Sequence, residues 1–343
     1  MFKETEKAGM VTIKDVARKA GVSPSTVSHA FSGKRKISAE VKERIFRIAR
    51  ELNYEPNAAA TSLVTKKTEN IGMCVSSFSS SVGAFVQKLS EGIATELAKA
   101  GYRLLLMTRP AGTAEEEYYE NINSDKAVDG IILTDPNVQD KYLANLLDRK
   151  MPLVVLGRPK IPYRYHVDND NVEVVLLALS HLAQLGHRRV AFINGPPEMT
   201  VSEDRLAGYH RGTQRLGLEI DGGLMKHGDF TSEGGYAAMA ELLQGERQFT
   251  AVVAANDAMA IGAIKALRAA GLRVPEEVSV VGINNDSISE LFDPPLTTVD
   301  IQTVALGQGA ARMLLALLAG DTPEAPQVVP SKLIVRGSTR RLS

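Results

Sequence analysis

Residues 11–63 read VTIKDVARKAGVSPSTVSHAFSGKRKISAEVKERIFRIARELNYEPNAAATSL. The opening Thr12-Ile13-Lys14-Asp15 is a helix-start pattern. Thr12 can cap, and Asp15 sits in the first turn, where the helix dipole favours an anion. Ile13, Val16, Ala17 and Ala20 then fall on one helical face. Gly21 stops that helix and permits the left-handed backbone of a tight turn. Ser23 caps the next helix, Pro24 suits its first position, and Val27 and Ala30 face inward. Gly33-Lys34-Arg35-Lys36 is a basic connector, and Ser38 caps a third helix with the apolar stripe Val41, Ile45, Ile48 and Leu52. Three short helices with a tight turn between the first two predict a helix-turn-helix, whose second helix enters the DNA major groove N-terminal end first. Its outward side chains are Ser25, Thr26, Ser28 and His29. A generic helical hairpin accounts for the periodicity, but not for this polar face beside a basic connector.

The charge distribution points the same way. The 343 residues carry 40 Lys/Arg and 40 Asp/Glu, a net charge of zero. Residues 1–69 hold 14 basic and 8 acidic side chains, net +6, and the remainder holds 26 and 32, net −6. A basic head on an acidic body implies that one end meets a polyanion. Hydrophobic residues at 44% and charged residues at 23% are ordinary for a soluble protein with real cores, which excludes disorder. The single cysteine, Cys74, excludes a disulfide framework and Cys-based zinc sites, so a reducing cytoplasm is the expectation. No run approaches the roughly 20 apolar residues of a membrane helix, and residues 1–10 lack a signal peptide's apolar segment.

Beyond residue 70 the pattern changes. Apolar runs at 71–75, 104–107, 130–133 and 153–156 read as buried strands, with helices at 85–100, 114–124 and 139–149 between them. The alternation then restarts: strands at 190–193, 251–254 and 278–283, helices at 203–216, 232–243 and 258–270. Two such sets predict two doubly wound parallel sheets, with a ligand cleft between the carboxyl ends of their strands. No Rossmann or P-loop glycine motif, G-x-S-x-G or H-E-x-x-H is present. The six histidines show no ligand spacing. Neither an enzyme nor a cofactor or metal is expected.

The motif DVA-x-x-AGVS-x-x-TVS within residues 11–63 closely resembles the DNA-binding head of the LacI/GalR family of bacterial repressors. The resemblance implies that Ser25 and His29 read bases, that Thr26, Ser28 and Asn57 reach phosphates, and that Thr12 and Ser23 at the helix starts belong to the DNA-binding set. Many members carry Arg at the position of His29, which bears on the operator sequence. Residues 57–63 match the family's hinge, which becomes helical on DNA. Ala60 would allow paired hinges to approach, and Leu63 would wedge into the minor groove and kink the duplex. Thr61 replaces the usual Arg.

The body resembles the family's effector-binding core, related in fold to periplasmic sugar-binding proteins, through landmarks such as Leu185-Gly-His-Arg-Arg-Val190, Arg205-Leu-Ala-Gly-Tyr209 and Asn256-Asp-Ala-Met-Ala-Ile-Gly262. The expected architecture is a small all-α helix-turn-helix domain over 1–56, a hinge helix and linker over 57–69, and an α/β core over 70–343. The core's first lobe spans about 70–170 and 300–327, and its second about 171–299 and 328–343. Crossings fall near Asn171, Asp300 and Gln327. The resemblance places Phe85, Val86, Asp170, Arg205, Phe230, Asn256 and Asn284 around the effector. Arg205 forks onto hydroxyls or a carboxylate, and Phe230 stacks on a ring. Asp257 is either a helix cap or a ligand. Asn284 stands where members commonly have Asp, and Met199 and Val201 are apolar where others place polar groups, so the pocket is less acidic and greasier than a typical sugar site.

The implied function is a cytoplasmic, nucleoid-associated bacterial regulator, a repressor of catabolic genes. It would act as a homodimer on double-stranded operator DNA under control of a small molecule, with a carbohydrate as the leading class. Rivals are a nucleoside or phosphorylated metabolite as effector, a regulator that reads a phosphoprotein partner, and a solute-binding protein or an enzyme on the same body.

Overall fold

The structure is a computed structural model that describes residues 11–33, 35–54, 67–75, 83–109, 127–134, 136–138, 141–148, 151–219, 221–244 and 249–342. Its two compact units are Met1–Thr68 and Glu69–Ser343.

Among the described residues the first unit has three helices, α1 (Ile13–Ala20), α2 (Pro24–Ser32) and α3 (Ala39–Glu51). At the start of α1 the Asp15 carboxylate accepts hydrogen bonds from the Thr12 amide (3.0 Å) and hydroxyl (2.7 Å), which hold it below the usual carboxylate range. Gly21, at φ +65°, turns the chain toward α2. The Ser23 hydroxyl caps α2 by accepting from the Thr26 amide at 3.1 Å. Val16, Ala17, Ala20, Val27, Ala30, Ile45, Ile48 and Ala49 form the core of this unit, drawn from the three apolar faces that the spacing predicts.

Among the described residues the second unit holds two sheets of six strands each. The first sheet uses β1 (Asn70–Val75), β2 (Arg103–Thr108), β3 (Gly130–Leu133), β4 (Leu153–Leu156), β5 (His166–Asp168) and β11 (Gln327–Val328), in the order β11-β5-β4-β3-β1-β2. The second uses β6 (Val190–Asn194), β7 (Met225–His227), β8 (Ala251–Ala254), β9 (Ser279–Ile283), β10 (Thr297–Asp300) and β12 (Lys332–Ile334), in the order β12-β10-β9-β8-β6-β7. Every pairing is parallel except β10 with β12. The central strands β3, β4, β6, β8 and β9 are buried along their whole length, as expected where helices cover both faces.

Helices α4 (Gly83–Lys99), α5 (Lys141–Asp148) and α11 (Thr303–Ala319) belong to the first lobe. Helices α6 (Asn171–Gln184), α7 (Thr200–Leu216), α8 (Ser232–Leu242), α9 (Asp257–Ala269) and the short α10 (Ser287–Leu291) belong to the second. The close crossing of α4 and α11 depends on glycine. A Cβ on Gly92 would stand 2.1 Å from the Val304 carbonyl oxygen, and one on Gly307 would stand 2.4 Å from that of Leu89.

The chain passes between the lobes after β5, after β10 and between β11 and β12. Asn169 ties all three passages together. Its Nδ2 donates to the carbonyls of Ile301 (3.0 Å) in the second and Val329 (2.8 Å) in the third. The Val329 amide in turn donates to the Asp168 carbonyl at 2.8 Å.

The strands and helices expected from the sequence are present where the residues are described, with ends that move by a few positions: α7 starts at Thr200, and α9 starts at Asp257. The expected helix at 114–124 lies outside the described residues. Strands β5, β7, β10, β11 and β12 and helices α6, α10 and α11 go beyond the sequence reading. Those strands are two to four residues long, too short to carry a periodicity.

Candidate DNA-binding face and effector cleft

On α2, Val27 and Ala30 are buried, Ser25 is exposed, and Thr26, Ser28 and His29 are partly exposed. Ser23 is exposed and committed: besides capping, its hydroxyl hydrogen-bonds those of Ser25 (2.7 Å) and Thr26 (2.8 Å). Asn57, Ala60 and Leu63, the three hinge residues named from the sequence, lie outside the described residues.

The cleft lies between the two lobes, against the first two interlobe passages. About 870 Å³ is free of protein atoms there, counting the part open to solvent. Phe85, Arg205, Phe230, Asn256 and Asn284 all line it, together with Met199 and Val201. The other two residues expected in the effector site fall elsewhere. Val86 is the helical neighbour of Phe85, and a step of about 100° around α4 turns it into the core, where it is buried. Asp170 is exposed, because its carboxylate bends back to cap α6 by accepting from the Glu173 amide at 2.9 Å. Asp168, Asn169 and Asn171, its neighbours in the Asp-Asn-Asp-Asn quartet, face the cleft instead. The signal for this was Asp170-x-x-Glu173, a capping-box spacing that marks Asp170 as a helix start.

Arg205 is 5% exposed. Its Nε donates to Asn171 Oδ1 at 3.1 Å and its Nη1 donates to the Ala255 carbonyl. Burial pulls its pKa down to about 10 against the favourable charges of Asp168 and Asp257. Asp168 Oδ1 accepts from the Asn169 amide (2.7 Å) and from Asn171 Nδ2 (3.0 Å). Burial, with help from Asp204, still pushes Asp168 up to about 6 against those bonds and Arg205. Carboxylate and carboxamide of the first passage and the guanidinium of α7 thus form one hydrogen-bonded chain.

Phe230 reaches the cleft through a left-handed backbone, φ +64°, which a bulky side chain seldom adopts. Asn256 holds that conformation: its Nδ2 donates to the Phe230 carbonyl at 2.8 Å, while its Oδ1 caps α9 by accepting from the Met259 amide at 2.8 Å. Gly195 leaves room for the ring, since a Cβ there would lie 2.2 Å from it. Asn256 therefore presents to the cleft a carboxamide already committed at both ends, with one Nδ2 hydrogen to spare.

At the rim the lobes are joined by ion pairs. Arg158, just after β4, forks onto Asp204 of α7 at 2.8 and 2.7 Å, and Lys160 meets Glu203 at 2.7 Å. Elsewhere between the lobes, Lys88 of α4 donates to the Asn285 carbonyl at 2.5 Å.

Asp257 is a structural acid. The cap of α9 is Asn256, and the fully buried Asp257 carboxylate accepts from the Asp286 amide (2.7 Å), Ser289 Oγ (2.6 Å) and Thr298 Oγ1 (2.6 Å). Burial, then the nearby Asp286, push it up to about 7 despite those three donors. The folded core therefore holds a proton that the unfolded chain, with an aspartate pKa of about 3.9, has released across this window. That stabilisation is complete below about pH 4 and disappears as pH rises through about 7. Burial holds His166, His181 and His187 below the usual histidine value, so they act in the opposite sense. Asp257→Asn keeps the histidines and removes only the carboxyl titration. Between about pH 4.5 and 8, urea unfolding of the core is expected to shift in favour of the Asn variant, relative to wild type, on the order of 1–3 kcal/mol. A difference that stays constant with pH would show that Asp257 is already ionised at the acid end.

A helix-turn-helix and a two-lobed α/β core with an interlobe cleft define a class: DNA-binding regulators with a periplasmic-type effector domain. Comparison with known proteins agrees. Residues 12–57 match the family described as bacterial regulatory proteins, lacI family, and residues 179–339 match the periplasmic binding protein-like domain. The HTH-type transcriptional regulator CelR of Thermobifida fusca is 35% identical over 339 residues, covering 97% of this chain and 99% of that protein. Among solved structures, a CelR–cellobiose complex matches with a TM-score of 0.73 at 33% identity, over 96% of this chain and 99% of that one. The lac repressor dimer bound to operator and the anti-inducer ONPF matches with a TM-score of 0.85 at 29% identity, over the same shares. The chain belongs to the LacI family of bacterial regulatory proteins, whose members similar to it are transcriptional regulators and not enzymes.

Proposed function

We propose that this protein is a cytoplasmic transcriptional repressor of catabolic genes, and that a carbohydrate bound between the core lobes sets its affinity for a pseudo-palindromic operator. The observation that carries the effector assignment is the cleft itself. A buried arginine, a carboxylate and several carboxamides surround walls built from Phe85, Phe230 and aliphatic side chains, a combination suited to a hydroxylated ring with apolar faces. CelR, similar over nearly the full length, has been solved with cellobiose, which makes that sugar the first to try. Phe85, Arg205, Phe230, Asn256 and Asn284 would contact the effector.

At the other end, Ser25 and His29 would read bases, with Thr12, Ser23, Thr26, Ser28 and Asn57 near phosphates and Ala60 and Leu63 at the operator centre. A palindromic site needs two heads. The edge strand β2, with Leu105 and Leu106 exposed, supports pairing with a second copy. Thermal-shift measurements on the full chain with cellobiose, simple hexoses and nucleosides test the reading. A carbohydrate is expected to raise the melting temperature in a concentration-dependent way and to change operator affinity. Stabilisation by a nucleoside, with none by any sugar, would overturn the effector class.

A further inference from the structure

We infer that Asp168 is a ligand-contacting residue that works with Arg205 to select an uncharged ligand, one hydroxyl donating to Asp168 and a neighbouring hydroxyl accepting from Arg205. This rests on the carbohydrate reading above and narrows it.

The two charges do not meet. The Asn171 carboxamide stands between them, donating to Asp168 Oδ1 at 3.0 Å and accepting from Arg205 Nε at 3.1 Å. Among the described residues no hydrogen bond reaches Asp168 Oδ2 or Arg205 Nη2, and both residues line the cleft. An acceptor-only oxygen and a donor-only nitrogen are thus left for a ligand, about as far apart as one carboxamide can bridge. Two hydroxyls on adjacent ring carbons offer the same donor-and-acceptor pair.

The charge balance decides what the pair excludes. Asp168 and Arg205 are the two charged side chains among the described lining residues, so the wall is neutral overall. Behind it the charges are largely offset: Asp204, which acts on Asp168, is paired with Arg158, and Asp286, which acts on Asp257, feels Lys88. A phosphate or carboxylate could satisfy Arg205 only by approaching Asp168 in a site where water screens poorly. A cation would meet Arg205 in the same way. An uncharged polyol offends neither.

Calorimetry on the full-length protein tests this with matched pairs, glucose against glucuronate and cellobiose against its 6-phosphate, and with inorganic phosphate alone. Wild type is expected to bind the neutral member at least about tenfold more tightly and to show no response to phosphate. Asp168→Asn keeps the acceptor for the Asn169 and Asn171 donors and turns the free oxygen into a donor. It should shrink the neutral-to-anion ratio by about tenfold or more, weakening the sugar and strengthening the anion. Retained operator binding reports that the variant is folded, and the wild-type pairs decide the charge preference without it. An anionic member that binds wild type as tightly as its neutral partner would overturn the assignment, as would a ratio unchanged in Asp168→Asn. If no sugar of either charge binds, yet phosphate binds Asp168→Asn and not wild type, the Asp168 assignment stands and the carbohydrate reading falls.

Discussion

Operator affinity is expected to fall on the order of a thousandfold as salt rises from about 50 to 200 mM, the response of a protein that neutralises about 6–10 phosphates. The reason lies in where the charge sits. Residues 1–69 carry a net +6 and the rest a net −6, so the chain as a whole has no pull on DNA, and the attraction must come from its head. Lys14, Arg35, Lys36, Lys42, Arg47 and Arg50 are exposed there. Arg18 and Lys19, by contrast, are drawn into ion pairs with Asp15 and Glu51. Those six exposed cations are available for phosphates, and each one that displaces a condensed counterion steepens the salt dependence. Small polar side chains on α2 add selectivity without adding to that slope. Fluorescence anisotropy on the best operator, titrated across the salt range, measures the slope directly. A form beginning at Lys67 should retain the effector response and lose operator binding. A flat salt profile, or undiminished binding by that shorter form, would remove the head from its assigned role.

The sequence was most informative where a residue's role depends on its near neighbours. Helices α1 to α3 could be placed because Thr12, Gly21, Ser23 and Ser38 act within one turn, and the structure finds their bonds at Asp15, Ala17, Thr26 and Val41. The buried strands could be read because parallel sheets covered on both faces need continuous apolar runs. The cleft was harder, since its walls come from separate passages of the chain between two sheets. Arg205 and Phe230 came from the family resemblance, and both line the cleft. The same resemblance pointed to Asp170 and passed over Asp168, two residues away. What separates them is that Asp170 spends its carboxylate on the amide of Glu173, a local bond visible as a spacing, while Asp168 lines the cleft and takes its partners from Asn169 and Asn171, both at one oxygen. Asn169 was invisible for a different reason. Its two acceptors, on Ile301 and Val329, lie 132 and 160 positions away, and no local pattern encodes that meeting. Nor could the sequence tell that Asn256 would spend its amide on holding Phe230 in a left-handed conformation.

Replacing Arg205 with alanine is expected to weaken effector binding by about 2–4 kcal/mol, a factor of roughly 30 to 1,000, with operator binding retained. Three features set that magnitude. Arg205 is 5% exposed, so its hydrogen bonds to a ligand form away from water and are charge-assisted. Its fork is fixed in advance, with Nε on Asn171 and Nη1 on the Ala255 carbonyl, so little rotamer entropy is left to lose when a ligand arrives. Finally, Asp168 and Asp257 both favour the charged form of Arg205. Its loss removes that charge from beside Asp168 and Asp257, and the core should lose about 1–3 kcal/mol of its own stability. Arg205→Lys separates the two effects. Lysine restores a positive charge for Asp168 and Asp257 but cannot reproduce a planar fork that serves Asn171, Ala255 and a ligand at once. Stability should therefore recover in Arg205→Lys while ligand affinity does not. Urea unfolding and calorimetry on the same samples read the two quantities independently. If lysine restored affinity as fully as stability, the ligand would be responding to charge alone, and the Nη2 donor assigned to Arg205 would be wrong.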